Sequence, residues 1–385
     1  MHIAFDGTTL RPGRTGVGYY TEHLLRHAAL LRGDDDVTVI SNAPVSTTVP
    51  LPPGVRTAVS GGSLPRALWM QVQAPRMLRR LRADVVHFTN GMVPAVCAVP
   101  TVVTIHDMSL TLYPEFHPLR RVLLNRPFVD VAARRADAII TVSESARRDI
   151  VRLYGIDPSR VHVVHEAAAP AFDVIRDPFE LQRVRQRYGL GERFILYVGT
   201  IEPRKNLPTL IDAFARRRAA GDLPHQLVCV GPYGWLSDDI DAQIDRLNIR
   251  DAVRFTGYVP FDELPAIYNL AEMFVFPSVY EGFGLPVIEA MACGTPVVTG
   301  SVAALNEVAG DAAARVEVLD AAALGDTLVA LASSREQRED LSRRGLARAR
   351  AFSWERAATE TLNVYRQTAA RPLAERSTAP AALQS

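Results

Sequence analysis

Glu281 and Glu289 stand on either side of a glycine-rich turn, Gly282-Phe283-Gly284-Leu285-Pro286. Pro286 suits the first turn of a helix, where its missing N–H costs nothing. The string therefore opens a helix whose free N–H groups and positive dipole end, around Gly284 to Val287, form a site for anions and hydroxyls. Glu289, inside that helix, is placed to accept two hydrogen bonds from a ribose diol. Glu281, ahead of the turn, is placed to reach the hydroxyls of a sugar. A lone Glu here would be read as a paired structural carboxylate; the whole string argues for a binding site.

A second constellation is Gly199-Thr200-Ile201-Glu202-Pro203-Arg204-Lys205-Asn206, which follows an apolar strand and precedes a helix. Gly199 lets the chain leave the strand in a tight turn. Arg204 and Lys205 then project near the strand end. Two cations there can neutralise the charge growing on a diphosphate leaving group without a metal. Lys205 is the single lysine, against 42 arginines. A compact ammonium suits phosphate as a point charge, which a guanidinium does not reproduce.

Other signals are weaker. Gly13-Arg14-Thr15-Gly16-Val17-Gly18-Tyr19 follows the first strand, and Gly16 and Gly18 allow close backbone approach to a ligand. It is not a clean G-x-G-x-x-G, and Val39-Ile40-Ser41 leaves no acidic residue at the end of the second strand. Ile105-His106-Asp107 ends an apolar strand; His106 either faces a ligand or is a hydrogen-bonded structural histidine beside an N-capping Asp. Asp34-Asp35-Asp36 reads as a solvated turn, with no other carboxylates clustered beside it to form a metal site.

These residues need a scaffold, and the composition permits one. The chain has 385 residues with 48% hydrophobic and 22% charged, ordinary for a globular enzyme of two domains. No apolar run reaches the ~18 residues a membrane span needs. The opening Met1-His2-Ile3-Ala4-Phe5-Asp6 reads as a buried strand and not as a signal peptide. Cys97, Cys229 and Cys293 fit neither a disulfide framework nor a zinc site, which points to a reducing cytosol. Residues 1–170 hold 19 arginines and 14 acidic residues, a balance of +5, and the remainder carries −4. Arg76, Arg79, Arg80 and Arg82, with Arg120-Arg121, Arg134-Arg135 and Arg147-Arg148, are either solvated helix faces or a basic surface for anionic lipid or a diphosphate-bearing acceptor.

Strands are expected at His2–Phe5, Val37–Ile40, Val85–Phe88, Val102–Ile105 and Ala138–Val142, and residues 160–180, with Val161–Val164 followed by Ala-rich sequence through Pro170 and Pro178, read as an interdomain connection. A second series follows at Phe194–Val198, Gln226–Val230, Val253–Phe255, Met273–Phe276 and Pro296–Thr299. Helical patterns between them include Tyr19–Leu31, Arg126–Arg135, Asn206–Ala220, Leu264–Asn269 and Pro286–Ala292. Alternation of this kind implies α/β architecture, two doubly wound parallel sheets in series, with ligands beyond the C-terminal strand ends and a cleft where the domains face each other. Ser353–Thr368 reads as a helix with Ser353 at its N-cap.

The chain resembles the family 4 retaining glycosyltransferases of the GT-B fold. The likeness runs from Gly16-Val17-Gly18 through His106-Asp107 and Pro203-Arg204-Lys205-Asn206 to Glu281…Glu289, and ends at Phe352-Ser353-Trp354-Glu355. It implies two Rossmann-like domains: residues 1–170 for the acceptor and 171–352 for the nucleotide sugar. A C-terminal helix over 353–371 crosses back to the first domain, and a disordered tail covers 372–385. By resemblance, Lys205 is the phosphate-binding lysine and Arg204 its partner cation, which also serves where relatives carry an Arg after the glycine and this chain has Thr200. Glu289 is the ribose-binding glutamate, Glu281 lies near the donor sugar, and His106 lies near that sugar's distal hydroxyl. Gly16 belongs to the loop over the phosphates, and Tyr258 and Val259 lie by the nucleobase. Gly199, Gly282, Phe283, Gly284 and Leu285 complete the expected donor site. Where relatives often have Asn-Gly, this chain has His165-Glu166-Ala167-Ala168; with Leu305-Asn306-Glu307-Val308-Ala309-Gly310-Asp311 it is similar to mannosyl and deoxyhexosyl transferases of bacterial surface polysaccharides.

The expectation is therefore a cytoplasmic, metal-independent hexosyltransferase. It would move mannose or a related deoxyhexose from a GDP-, UDP- or dTDP-linked donor to a saccharide or lipid-linked saccharide. No cofactor and no nucleic acid are expected, and an anionic membrane surface is a further candidate partner on the inner face of the cell membrane. A nucleotide-sugar epimerase of like architecture would convert the donor with no acceptor present. A dinucleotide oxidoreductase lacks its fingerprint and ribose acid. A scaffold with a decayed site would not keep these carboxylates and cations.

Overall fold

The apolar runs form strands because both of their faces are covered, and they assemble into two parallel sheets. The computed structural model describes residues 1–13, 16–61, 64–237 and 239–371. Two compact units emerge. The first comprises Met1–Met108, Leu123–Glu166 and the chain from Ser353 onward; the second comprises Ser109–Val122 and Ala167–Phe352.

The first unit holds β1 (His2–Asp6), β2 (Asp36–Ser41), β3 (Arg56–Val59), β4 (Val85–Phe88), β5 (Thr101–Thr104), β6 (Ala138–Thr141) and β7 (Val161–Val163). Their order is β3-β2-β1-β4-β5-β6-β7, all parallel. Phe5 pairs with Val39 on one side and His87 on the other. β4, β5 and β6 are buried throughout, as expected of strands with helices on both faces.

The helix Trp354–Ala370 belongs to this unit and packs on the helix Gly16–Leu31. Ser353 caps it, its hydroxyl accepting from the Arg356 N–H at 3.1 Å. Its buried stripe, Trp354, Ala357, Ala358, Thr361, Leu362, Tyr365 and Thr368, follows the helical period. Tyr365 is hydrogen-bonded to Nδ1 of buried His87 at 2.6 Å, and the other ring nitrogen meets Thr104 at 2.7 Å. The tail expected over 372–385 lies outside the described residues.

The second unit holds β8 (Phe194–Val198), β9 (Gln226–Val230), β10 (Val253–Gly257), β11 (Met273–Phe276), β12 (Val297–Gly300) and β13 (Ala313–Val316). The order β10-β9-β8-β11-β12-β13 is again all parallel. Leu196 lies between Val228 and Phe274 in register. Tyr197, Phe214, Phe274 and Phe276 are among its largest fully buried side chains.

Compact packing separates the units after Glu166 and places Ser109–Val122 with the second. Side-chain contacts explain that placement. The Trp235 indole N–H donates to the Phe116 carbonyl at 2.7 Å, the Arg121 guanidinium lies 4.1 Å over the Trp235 ring, and Tyr113 and Tyr280 have ring centroids 5.1 Å apart.

In both sheets the winding direction reverses between two neighbouring strands, β1 and β4 in the first and β8 and β11 in the second. At such a switch point the loops leaving the two strands part in opposite directions and open a crevice for ligand.

Candidate active site

The two strongest motifs leave the two switch-point strands of the second unit. After β8, the Gly199 N–H donates to the Val230 carbonyl at 2.9 Å, and residues Pro203–Lys205 form a 3-10 turn. Asn206 then adopts a left-handed φ of 57° and leads into the helix Leu207–Ala219. Its amide donates to the Pro277 carbonyl at 3.1 Å and its side-chain oxygen accepts from Thr209 at 2.7 Å. The Val279 N–H donates to the Arg204 carbonyl at 2.9 Å. These bonds fasten the loop after β8 to the loop after β11, so that Arg204, Lys205 and Glu281 meet although they lie far apart in sequence. The close approach of β8 and β9 needs glycine at 231: a Cβ there would sit 2.2 Å from the Gly199 carbonyl oxygen.

At the meeting point two cations face two carboxylates. Lys205 Nζ donates to Glu281 Oε1 at 2.7 Å, and Arg204 donates to Glu281 Oε2 at 2.9 Å, to the Tyr280 carbonyl at 2.9 Å and to Glu202 at 2.8 Å. Side-chain exposure is 12% for each cation, 8% for Glu281 and 4% for Glu202. The Lys205 ammonium also lies 4.7 Å over the Phe276 ring. Burial lowers the Lys205 pKa from its usual value, and the Glu281 charge only partly offsets this. For Glu281 burial acts upward, but the charges of Arg204 and Lys205 outweigh it and hold the carboxyl below its ordinary 4.5. The cluster thus sets two basic side chains against two carboxylates within one buried group.

Sequence reasoning sets Glu281 towards sugar hydroxyls; in the structure its carboxylate bridges the two cations. It also passes over Glu202, whose signal was its place one residue ahead of Pro203-Arg204-Lys205. Gly284, at φ 108°, begins the helix Leu285–Ala292, with Pro286 in its first turn. Glu289 on this helix accepts from the buried Tyr268 hydroxyl at 3.1 Å, a partner that spacing alone does not reveal. Phe283 is 3% exposed, and its ring packs edge-on against Phe352 with centroids 5.6 Å apart. Gly282 is buried beside it. Past β10, Tyr258 is 60% exposed whereas Val259 is buried.

The remaining candidates lie in the first unit. Gly16 begins the helix Gly16–Leu31, while Arg14 and Thr15 of the same loop fall outside the described residues. His106 follows β5. Nε2 meets the Thr89 carbonyl at 3.0 Å, Nδ1 lies 3.3 Å from Glu166 Oε1, and the Tyr20 ring stands edge-on at 4.6 Å. Glu166 has no place among the residues that sequence reasoning assigns to the site. Among the described residues no group of three or more His, Cys, Asp or Glu could hold a metal, and no helix is long and apolar enough to cross a membrane.

Residues 14–170 match the family described as Glycosyltransferase Family 4, and residues 179–348 match Glycosyl transferases group 1. O-antigen chain mannosyltransferase B of Escherichia coli is 32% identical over 381 residues, which cover 95% of this chain and 100% of that protein. The MMP alpha-(1->4)-mannosyltransferase of Mycolicibacterium hassiacum is 30% identical and covers 96% of this chain and 99% of its own. Among solved structures, sucrose-phosphate synthase from Thermosynechococcus elongatus has a TM-score of 0.73 at 21% identity, over 95% of this chain and 98% of that one. HepE of Anabaena, in complex with UDP and glucose, has a TM-score of 0.74 at 18% identity, over 95% and 100%. These structural likenesses establish the fold as GT-B. Two halves that match the two glycosyltransferase families, on a chain that aligns end to end with a mannosyltransferase at 32% identity, make this protein a member of glycosyltransferase family 4.

Proposed function

We propose that the protein is a retaining hexosyltransferase that moves mannose, or a related deoxyhexose, from a nucleoside-diphosphate sugar to a saccharide or lipid-linked saccharide in polysaccharide assembly. The observation that carries this reading is the buried cluster of Arg204, Lys205 and Glu281 at the β8/β11 switch point, close in sequence to a helix that starts at Leu285. An incoming diphosphate competes with Glu281 for the N–H groups of Arg204 and Lys205. The carboxylate it displaces is then free to accept hydroxyls of the transferred sugar. Glu289, held by Tyr268, accepts the ribose diol, and the loop at Tyr258 and Val259 takes the base. The acceptor is held by the first unit.

Retention without a covalent intermediate requires the acceptor hydroxyl to attack from the face the diphosphate leaves. The departing phosphate oxygen takes the acceptor proton, while Arg204, Lys205 and the helix N–H groups stabilise its charge. No metal is needed for that stabilisation, because fixed cations and dipoles supply it. The mannosyl preference rests on the relatives named above. A lipid-linked acceptor is supported by the helix Leu119–Arg135: Leu119, Leu123 and Leu124 are 72%, 64% and 57% exposed beside exposed Arg120, Arg121 and Arg126. Such a face suits an anionic bilayer.

The test is a thermal-shift screen of GDP-, UDP- and dTDP-sugars, followed by transfer assays with and without chelator. A donor at 100 times its dissociation constant stabilises by about 2.7 kcal/mol. Absence of a shift with any of the three nucleotides, or loss of transfer in EDTA restored by magnesium, refutes the corresponding part.

A further inference from the structure

The unusual feature of the first unit is the histidine at the end of β5. Both of its ring nitrogens face groups that accept: the Thr89 carbonyl at 3.0 Å from Nε2 and the Glu166 carboxylate at 3.3 Å from Nδ1. A carbonyl never donates, and an ionised carboxylate cannot. Only a ring that carries both protons satisfies the two neighbours at once. The Tyr20 ring, edge-on at an interplanar angle of 87°, fixes the plane of the imidazole. Tyr20 is itself hydrogen-bonded to Thr104 at 3.0 Å and packed against Trp354. Glu166 is 5% exposed, so its carboxylate is shielded and needs a partner.

We propose that Glu166 is a positioning residue for the transfer reaction: its carboxylate on Nδ1, opposed by the Thr89 carbonyl on Nε2, holds His106 as a cation in one orientation. The proposal rests on the reading of His106 as a donor-site residue. A histidine held in this way is a fixed positive charge that needs no proton uptake when an anionic donor arrives, which is the form of preorganisation that electrostatic catalysis requires. Glu166 offsets that charge while the site is empty of substrate.

The surrounding groups agree. Burial alone would lower the His106 pKa, but the hydrogen bond and charge of Glu166, the Thr89 carbonyl and the charge of Asp107 together raise it above the usual 6.5. His87, on neighbouring β4, is pushed down to about 3 by burial and then by the His106 charge, so it stays neutral and does not oppose the cation. The Tyr20 phenol is raised by burial and stays neutral too.

The experiment uses full-length protein with isotope-labelled histidine. The His106 ring resonances are assigned by their loss in His106→Asn and titrated in wild type, Glu166→Gln and Glu166→Asp. Gln keeps the shape and one acceptor but removes the charge. Its ring midpoint is expected below that of wild type, and Asp is expected to restore part of the difference. The alkaline limb of the kcat/KM profile is expected to fall in parallel, so that Glu166→Gln regains wild-type rate as pH drops through its own midpoint. Melting temperatures near wild type separate this from a folding defect. An unchanged ring titration in Glu166→Gln overturns the pairing. A shifted titration with an unmoved rate profile keeps the pairing and overturns the positioning role, and with it the donor-site reading of His106. A uniform loss of rate at every pH points to a structural role and also overturns the proposal.

Discussion

Replacing Glu281 with Gln tests the charge balance of the site. The carboxylate accepts from Lys205 at 2.7 Å and from Arg204 at 2.9 Å, with 8% of its side chain exposed. Gln offers one acceptor in place of two and no charge. Arg204 keeps its ion pair with Glu202, but Lys205 is left buried without a directly paired carboxylate. Removing one partner of a buried pair costs about 3–5 kcal/mol. A domain of this size loses roughly 2–4 °C per kcal/mol, so the second unit should melt about 6–20 °C lower. The excess positive charge should make added nucleoside diphosphate stabilise the variant more than it stabilises wild type, because the ligand now supplies the missing anion. Turnover should nevertheless fall by about 10²-fold, since a preorganised contact to the donor is gone. Differential scanning fluorimetry with and without nucleotide, read beside a transfer assay, separates these effects. The acid limb gives an independent reading. The Glu281 pKa is lowered on folding, so its contribution to stability is present above about 4.5 and disappears as pH falls through the folded value. Glu281→Gln should lose this part of the acid dependence. A variant that melts within about 2 °C of wild type would show that the carboxylate does not neutralise the cations in solution.

Three further substitutions probe the scaffold and the donor contacts. Gly231→Ala places a Cβ 2.2 Å from the Gly199 carbonyl oxygen at a φ of 135°. It should destabilise by at least about 3 kcal/mol through strain and overpacking, and a soluble variant with wild-type melting would contradict the β8–β9 geometry. Tyr268→Phe removes the hydroxyl that donates to Glu289 at 3.1 Å. Stability should fall by about 0.5–1.5 kcal/mol while the donor KM rises several-fold at nearly constant kcat; a kcat effect alone would remove Glu289 from ribose binding. Lys205→Arg keeps the charge but must fit a larger group between Glu281 and the Phe276 ring, 4.7 Å from the present ammonium. It should cost about 1–3 kcal/mol and slow transfer at least tenfold, and wild-type kinetics would show that any cation serves there.

Much of the architecture is legible in the sequence because buried parallel strands leave a strong signal. Val85–Phe88, Phe194–Val198, Gln226–Val230 and Met273–Phe276 are continuous apolar runs that coincide with β4, β8, β9 and β11. The strands that escape are Arg56–Val59, Val161–Val163 and Ala313–Val316, which lie at the edges of their sheets and are short and partly exposed, so no long apolar run marks them. Likewise the helix Arg66–Leu81 is hidden by Pro75 in its interior and Pro65 at its start. Within the site, Arg204, Lys205, Glu281 and Glu289 announce themselves by residue type beside glycine turns. Glu202 does not, because its neighbour Arg204 is the residue that stands out, and Tyr268 does not, because it matters through Glu289 on another helix. In the first unit Glu166 is silent for the same reason, its partner His106 lying far earlier in the sequence. Spacing rules describe one element at a time, whereas these contacts join separate elements: Tyr268 and Glu289 lie on two helices, and His106 and Glu166 follow β5 and β7.

The same topology explains how the proposed diphosphate site can exist in a folded protein before its ligand arrives. Two cations set side by side with 12% of their side chains exposed would repel each other and lose hydration. The fold meets this cost by bringing a carboxylate from the next loop onto both of them, which is geometrically available because β8 and β11 are neighbours. Glu281 then occupies the charge position that a phosphate would take. On the proposed reading, exchange of one anion for another would need little rearrangement of the loops, since the Asn206 amide and the Val279 N–H fasten them without using the charged side chains. Under the proposed function, the carboxylate released as the diphosphate binds accepts sugar hydroxyls, which would couple donor binding and sugar recognition through one side chain. On the proposed reading, a compact ammonium opposite Glu281 suits this exchange, since it can pass from carboxylate to phosphate by a change of side-chain torsion.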